Sequence, residues 1–330
     1  MQSVFGSPAD YLNPRNLPPL PLVELPAHLI PFLPAERVRV FAQLAYTWPT
    51  GNLKHPAVHT MLLAAREHKR LRPTVVESSS GSTLISLAHI APGFGVKKVV
   101  GIVPSDIPTT KWNLLSELGV ELRKNYARPG QPSAIDEART LGQQDGWFHL
   151  GQYENKWNWH GHQKYTVAPL REQLGDGLSV YGLGLGTAGT GIAARETFKK
   201  TSIAVVAGIC APDNPVPGVR TRERLQHFFD WEKGLSQVEI TQRAAYRGSL
   251  ELVGAGIRGG PSSGFARAAV NEFLLAKNQD PKAWEGLRNG NGEIVAVFIC
   301  GDSYDVYSPE KYSTVLNPDD FPEQPPNSQI

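Results

Sequence analysis

The chain has 330 residues, enough for two domains at roughly 150 residues each, and its 41% hydrophobic and 19% charged residues exclude a disordered polypeptide. Lys plus Arg number 33 against 31 Asp plus Glu, a formal charge of +2, so no excess positive field recruits nucleic acid or an anionic membrane. No apolar run reaches the roughly 18 residues of a membrane span, Met1-Gln2-Ser3 opens no signal peptide, and Cys210 and Cys300 make no disulfide framework, so the expectation is a cytoplasmic globular enzyme.

The first 36 residues carry Pro14, Pro18, Pro19, Pro21, Pro26, Pro31 and Pro34 and predict an extended arm lying on the body. Val38, Val40, Ala42 and Leu44 then alternate with a strand's period of two, and Val58, Met61, Leu62 and Ala65 follow at helical spacing. The same order recurs. Val75-Val76 precedes the helical pattern Leu84, Leu87, Ala88 and Ala91, and Val99 to Val103 precedes Leu114, Leu115 and Leu118. Further strands are predicted at 148–150, 180–185, 203–209, 252–253 and 294–299, and helices at 159–173, 190–198, 221–229 and 263–275. The polar tail after Leu316 is expected to fray. Such alternation predicts an α/β protein with parallel strands, crossover helices and ligands beyond the carboxyl ends of the strands.

Four loops at such ends carry chemistry. Gly182 to Thr190 follows a strand and opens a helix; its small residues let backbone N–H groups approach an anion, and Thr187 and Thr190 add hydroxyls. Gly184, Gly186 and Gly189 also fit the dinucleotide pattern G-x-G-x-x-G, but the next strand ends in Cys210-Ala211-Pro212 without the acidic residue that fold wants, so a single phosphate suits better. Glu77-Ser78-Ser79-Ser80-Gly81-Ser82-Thr83 is a carboxylate or phosphate cradle, or an ordinary cluster of capping serines. Lys54 lies in Pro49 to Pro56, where a lysine is a solvated charge unless the site needs an amine nucleophile. Phe298 to Ser303 ends the last strong strand with Cys300, a packing residue or a site residue. His160 and His162 could shape a pocket or simply pack. His55 and His59 lie on one helix face without the glutamate of H-E-x-x-H, and the cysteines have no paired spacing, so no metal site is expected.

Taken in order, these loops resemble the fold-type II pyridoxal-phosphate enzymes (tryptophan synthase β-like), in particular the cysteine synthase and cystathionine β-synthase family. The resemblance runs from Leu20-Pro21-Leu22-Val23-Glu24-Leu25, similar to T-P-L-V-x-L, to about Leu316. It implies two domains, each with a mostly parallel sheet flanked by helices. Residues 1–46 form an arm and strands joining the large domain, 47–155 a small domain, and 156–330 a large domain with the phosphate loop.

It also implies pyridoxal 5'-phosphate as cofactor, with Lys54 as Schiff-base lysine and general base. Ser79, Ser80, Gly81 and Thr83, in the place of P-T-S-G-N-T, would grip the substrate carboxylate together with Gln152 of Gln152-Tyr153-Glu154-Asn155. Gly186, Thr187, Ala188, Gly189 and Thr190, in the place of G-T-G-G-T, would hold the cofactor phosphate. Ser82 would face its phenolic oxygen, Ser263 would belong to the G-x-S-S-G-A segment, and Cys300 or Asp302 would meet the pyridine nitrogen, Cys300 by alignment. The implied reaction is β-elimination or β-replacement on an amino acid through an aminoacrylate, by a homodimer. Ser82 in place of asparagine, His55-Pro56 in place of Asp-Arg and the missing R-Y-L near Ser303 point to a specialised relative. The alternatives are a dehydratase, deaminase or Cγ-substituting enzyme of the same fold, or a non-catalytic binding protein on it.

Overall fold

The computed structural model describes residues 4–126, 131–225 and 230–321. Among these described residues ten strands run in chain order: β1 Leu22–Glu24, β2 Val38–Leu44, β3 Thr74–Ser78, β4 Lys98–Pro104, β5 Glu121–Asn125, β6 Trp147–His149, β7 Val180–Gly184, β8 Ala204–Cys210, β9 Ser236–Ile240 and β10 Ile294–Cys300. The α-helices are α1 Pro8–Tyr11, α2 His55–Glu67, α3 Ser82–Ile90, α4 Thr109–Glu117, α5 Ala134–Leu141, α6 Trp157–His162, α7 Ala168–Leu174, α8 Gly189–Phe198, α9 Gln242–Gly254, α10 Pro261–Asn278, α11 Pro281–Glu285 and α12 Pro309–Ser313.

The strands form two sheets, one of six in the order β1-β2-β10-β7-β8-β9 and one of four in the order β5-β4-β3-β6. Every pairing is parallel except β1 with β2. All seven residues of the central strand β10 are buried, as a parallel strand covered on both faces requires. Helices α9 and α10 cover one face of the larger sheet through Tyr246, Phe265, Val270 and Leu274. Helix α8 and Trp231 cover the other with Ile192 and Phe198. In the smaller sheet, α2 and α3 pack Val58, Leu62, Leu84 and Leu87 on Val75 and Val103.

The predicted strands and the helix around α10 stand where the sequence places them, with four departures. Leu252-Val253, expected as a strand, lies inside α9. Thr241 caps that helix by accepting from the Ala244 amide, and the buried residues Ala245, Tyr246, Ser249 and Leu252 recur at helical spacing, so a two-residue apolar run yields to its surroundings. The helix expected over 221–229 is a single 3-10 turn at Arg222–Arg224, with Thr221 bridged to Cys210; residues 226–229 lie outside the described residues. The tail does not fray at its start, because Asp320 is buried and accepts a two-pronged bond from Arg243. Residues 322–330 lie outside the described residues. The proline-rich arm is not uniformly extended: it contains α1, three 3-10 turns and β1. The helix expected over 159–173 is continuous through α6 and α7, with a π-helical turn at Gln163–Val167 between them.

Candidate active site

Lys54 sits at the junction of a tight loop and α2, whose Pro56 suits a first turn because the missing N–H would be unpaired there anyway. The loop is braced from within. Asn52 Nδ2 donates to the Thr50 carbonyl at 2.8 Å, while Asn52 Oδ1 accepts from the Lys54 amide at 2.9 Å and from Ser86 Oγ at 3.0 Å. Outside it, the Leu53 amide donates to the Gly301 carbonyl at 2.7 Å, fastening the loop to the end of β10 in the other sheet. Burial, with a contribution from the Arg220 cation, depresses the Lys54 ammonium to about 8 against the opposing pull of Asp302. An amine so placed is about one-tenth uncharged at pH 7, far more than a solvated lysine, and can act as a nucleophile.

Across the cleft, β7 runs into the glycine loop and α8. Ala188 takes a left-handed conformation, φ 63°, immediately before the helix, and no side chain caps the first turn. The Gly189 amide makes one long bond, 3.4 Å, to Thr187 Oγ1, and the helix start offers a partial positive charge. A Cβ on Gly186 would stand 2.3 Å from the Gly218 carbonyl oxygen, so only glycine permits the two loops to meet. A Cβ on Gly189 would stand 2.3 Å from Asn158 Oδ1, and Asn158 Nδ2 donates to Thr187 Oγ1 at 3.2 Å. A glycine-lined helix start at one end and a readily deprotonated amine at the other fit a phosphate ester that bears an aldehyde.

The predicted residues divide into three groups. Lys54, Ser82, Gly186, Thr187, Ala188, Gly189, Thr190 and Asp302 line one cleft. The carboxylate-loop residues adjoin it: Ser79 Oγ accepts from the Gly81 amide at 3.1 Å, and Thr83 Oγ1 donates to Gln152 Oε1 at 2.6 Å. Gln152 Nε2 in turn donates to the Ser78 carbonyl at 2.6 Å, whereas Ser80 is exposed. Cys300 and Ser263 lie behind the wall, both 0% exposed, with Cys300 packed in the hydrophobic core. Burial pushes the Cys300 thiol up to about 12, so it stays protonated. Ser262, next to Ser263, and Asp302, two residues after Cys300, do reach the cleft.

Asp302 Oδ2 accepts from the Tyr307 hydroxyl at 2.6 Å and Oδ1 from Ser262 Oγ at 3.3 Å. Burial raises its carboxyl above the usual range, against the opposing pull of the Lys111 ammonium, these two bonds and Lys54. Sequence reasoning did not single out Tyr307, Lys111, Arg220 or Glu77. The Arg220 guanidinium stacks 4.3 Å above the Tyr153 ring beside the site. Glu77 is fully buried and accepts from the Ser78 amide at 2.8 Å and the Gln152 amide at 3.1 Å, tying the two halves of the carboxylate loop together. Glu77 carried one signal, a charged residue in an otherwise apolar strand next to a serine cluster. For the others the contacts are tertiary. His162 is buried with no bond to Nε2, and burial and the Lys54 charge hold it well below its ordinary pKa. Among the described residues no group of three His, Cys, Asp or Glu could hold a metal ion, and no helix is long and apolar enough to cross a membrane.

Two sheets meeting at a buried lysine and a glycine-lined helix start form a cleft whose residues would fit a phosphorylated carbonyl cofactor. A family model described as pyridoxal-phosphate-dependent enzyme matches residues 17–285, and the chain belongs to that family; its cofactor is pyridoxal phosphate. The cysteine synthase B of Campylobacter jejuni is 25% identical over 268 residues, covering 74% of this chain and 86% of its own length. A probable cysteine synthase of Bacillus subtilis is 28% identical over 266 residues, covering 75% and 85%. Among solved structures, an O-acetylserine-dependent cystathionine β-synthase from Helicobacter pylori superposes with a TM-score of 0.74 at 19% identity, covering 93% of this chain and 98% of its own. An O-ureido-L-serine synthase superposes with a TM-score of 0.79 at 20% identity, covering 96% and 97%. The fold is that of the fold-type II enzymes, of the cysteine synthase-like kind.

Proposed function

We propose that the chain catalyses β-elimination or β-replacement on an amino acid, with Lys54 as the residue that carries the cofactor and then moves the Cα proton. The observation that supports this most is the placement of Lys54, depressed to about 8, in one cleft with the uncapped start of α8. Bound pyridoxal phosphate supplies an electron sink for the carbanion at Cα. The chain's own residues do the rest. The Gly186–Thr190 loop anchors the phosphate, and the Ser79–Thr83 loop with Gln152 orients the substrate carboxylate so that its Cα–H faces Lys54. His162, uncharged beside Lys54, adds no competing positive charge.

A second reading rests on Asp302. Because this carboxylate lines the cleft while Cys300 lies in the core, the ring nitrogen would face an acidic group. A carboxylate there favours a protonated ring, a stronger sink that also serves Cγ-substitution or dehydration. Relatives named cysteine synthase favour the first reading. The two are separated by incubating the loaded protein with O-acetyl-L-serine and sulfide, with L-serine alone, and with O-acetyl-L-homoserine and sulfide. Cysteine formation, or pyruvate and ammonia from O-acetyl-L-serine, supports the first reading; product only from L-serine alone or from the homoserine ester supports the second. Lys54→Ala is expected to abolish turnover, and normal turnover of that variant would remove Lys54 from its role. We further propose a homodimer, tested by sedimentation.

A further inference from the structure

Lys111 faces Asp302 only from beyond ion-pairing distance. Lys111 projects from α4, on the smaller sheet, and crosses to the other domain. Its Cδ lies 3.3 Å and its Nζ 3.8 Å from the position a Cβ on Gly81 would take, so the side chain rests on the serine loop. Its Nζ stands 4.9 Å from the centre of the Tyr307 ring, whose hydroxyl donates to Asp302. Among the described residues Lys111 has no carboxylate within ion-pairing distance, although shorter and more exposed lysine pairs occur elsewhere, such as Lys98 with Glu121 at 2.5 Å. A half-buried ammonium held by a ring face and a more distant charge is incompletely satisfied, and cations in such places are completed by an anion. The anion that belongs against Gly81 is the one this loop would orient.

We propose that Lys111 is a substrate-binding residue: its ammonium receives the carboxylate of the amino acid at Gly81, and Tyr307 with Asp302 holds it in position beforehand. The substrate class is an amino acid with a free carboxylate, as opposed to an amide, an ester or a peptide carbonyl. This rests on the assignment of the serine loop to the substrate carboxylate.

The test compares wild type, Lys111→Gln and Lys111→Arg, each loaded with pyridoxal phosphate. L-alanine, L-serine and O-acetyl-L-serine are titrated against their primary amides, with the visible absorbance of the cofactor reporting binding. Lys111→Gln is expected to weaken binding of the acids by about tenfold to a hundredfold, the loss of one charge-assisted bond, and that of the amides by less than about threefold. Lys111→Arg is expected to keep most of the preference for the acid. Equal weakening of acid and amide, or none of either, in a variant that still holds its cofactor overturns the role of Lys111 alone. A wild-type protein that takes up no cofactor, or whose loaded spectrum answers to none of the acids, overturns the proposed function and this inference with it.

Discussion

The hydroxyl of Tyr307 donates to Asp302 Oδ2 across 2.6 Å, so that a residue of the C-terminal segment fixes the carboxylate on the wall of the cleft. Asp302 is 8% exposed and already raised by burial, so losing this donor leaves its charge less compensated. Tyr307→Phe is expected to lower stability by about 1–3 kcal/mol, read from the denaturant midpoint at pH 7. It is also expected to raise the Asp302 pKa further. An unchanged midpoint would mean that the bond contributes nothing net.

Lys54 yields a pH dependence with a definite sign. Its ammonium is depressed from 10.5 to about 8, so the native chain binds fewer protons than the unfolded one between these values. Stability therefore rises with pH across that window, and below about 8 the full cost of burying the charge is present. Capture of added pyridoxal phosphate by cofactor-free protein is expected to quicken with pH and level off above about 8. A rate that keeps climbing towards 10.5 would show an ordinary, solvated lysine.

Glu77 behaves oppositely. Burial raises its carboxyl from 4.5 to about 7, against the Gln152, Ser78 and Gly151 amides. The native state therefore keeps a proton that the unfolded state has lost. The associated stability is fully present below about 4.5 and is lost as pH rises to about 7, by on the order of 3 kcal/mol. Glu77→Gln is expected to flatten this part of the stability profile, measured by urea unfolding between pH 4.5 and 7. A slope identical to that of wild type would assign the dependence to other groups.

Gly186 lies where two loops touch, and the 2.3 Å between its would-be Cβ and the Gly218 carbonyl oxygen leaves no room for a methyl group. Gly186→Ala must push the loop apart, and cofactor affinity is expected to fall tenfold or more, measured by equilibrium dialysis. Gly254→Ala, with nothing within 4 Å of the new Cβ, serves as the control and should bind as wild type does.

The buried parallel strands were legible in the sequence because covering both faces makes them continuous apolar runs: β4, β8 and β10 stand out for this reason. The edge strands β5 and β9 were not, since Glu121–Asn125 and Ser236–Ile240 carry the polar residues an exposed edge needs. At the site, loops with small residues announced themselves, but helical phase did not. Pro261 starts α10, and one residue further along a helix is a rotation of about 100°, so Ser262 reaches the cleft and Ser263 the core. Cys300 is the last residue of β10 and shares its burial. Asp302 lies two residues on, where a bridge to Asn52 has already turned the chain towards the cleft. Lys111 carried no local signal, because what distinguishes it is Gly81 on one side and Tyr307 on the other, contacts that only the tertiary fold creates.

The central claim concerns one nitrogen atom. Reduction of the pyridoxal-phosphate-loaded protein with borohydride, followed by proteolysis and mass spectrometry of the peptides, locates any covalently held cofactor directly. The phosphopyridoxyl mass is expected on the peptide containing Lys54 and at that residue. The mass on Lys111 or any other lysine, or on no peptide of a protein that nonetheless turns over its substrate, would contradict that claim.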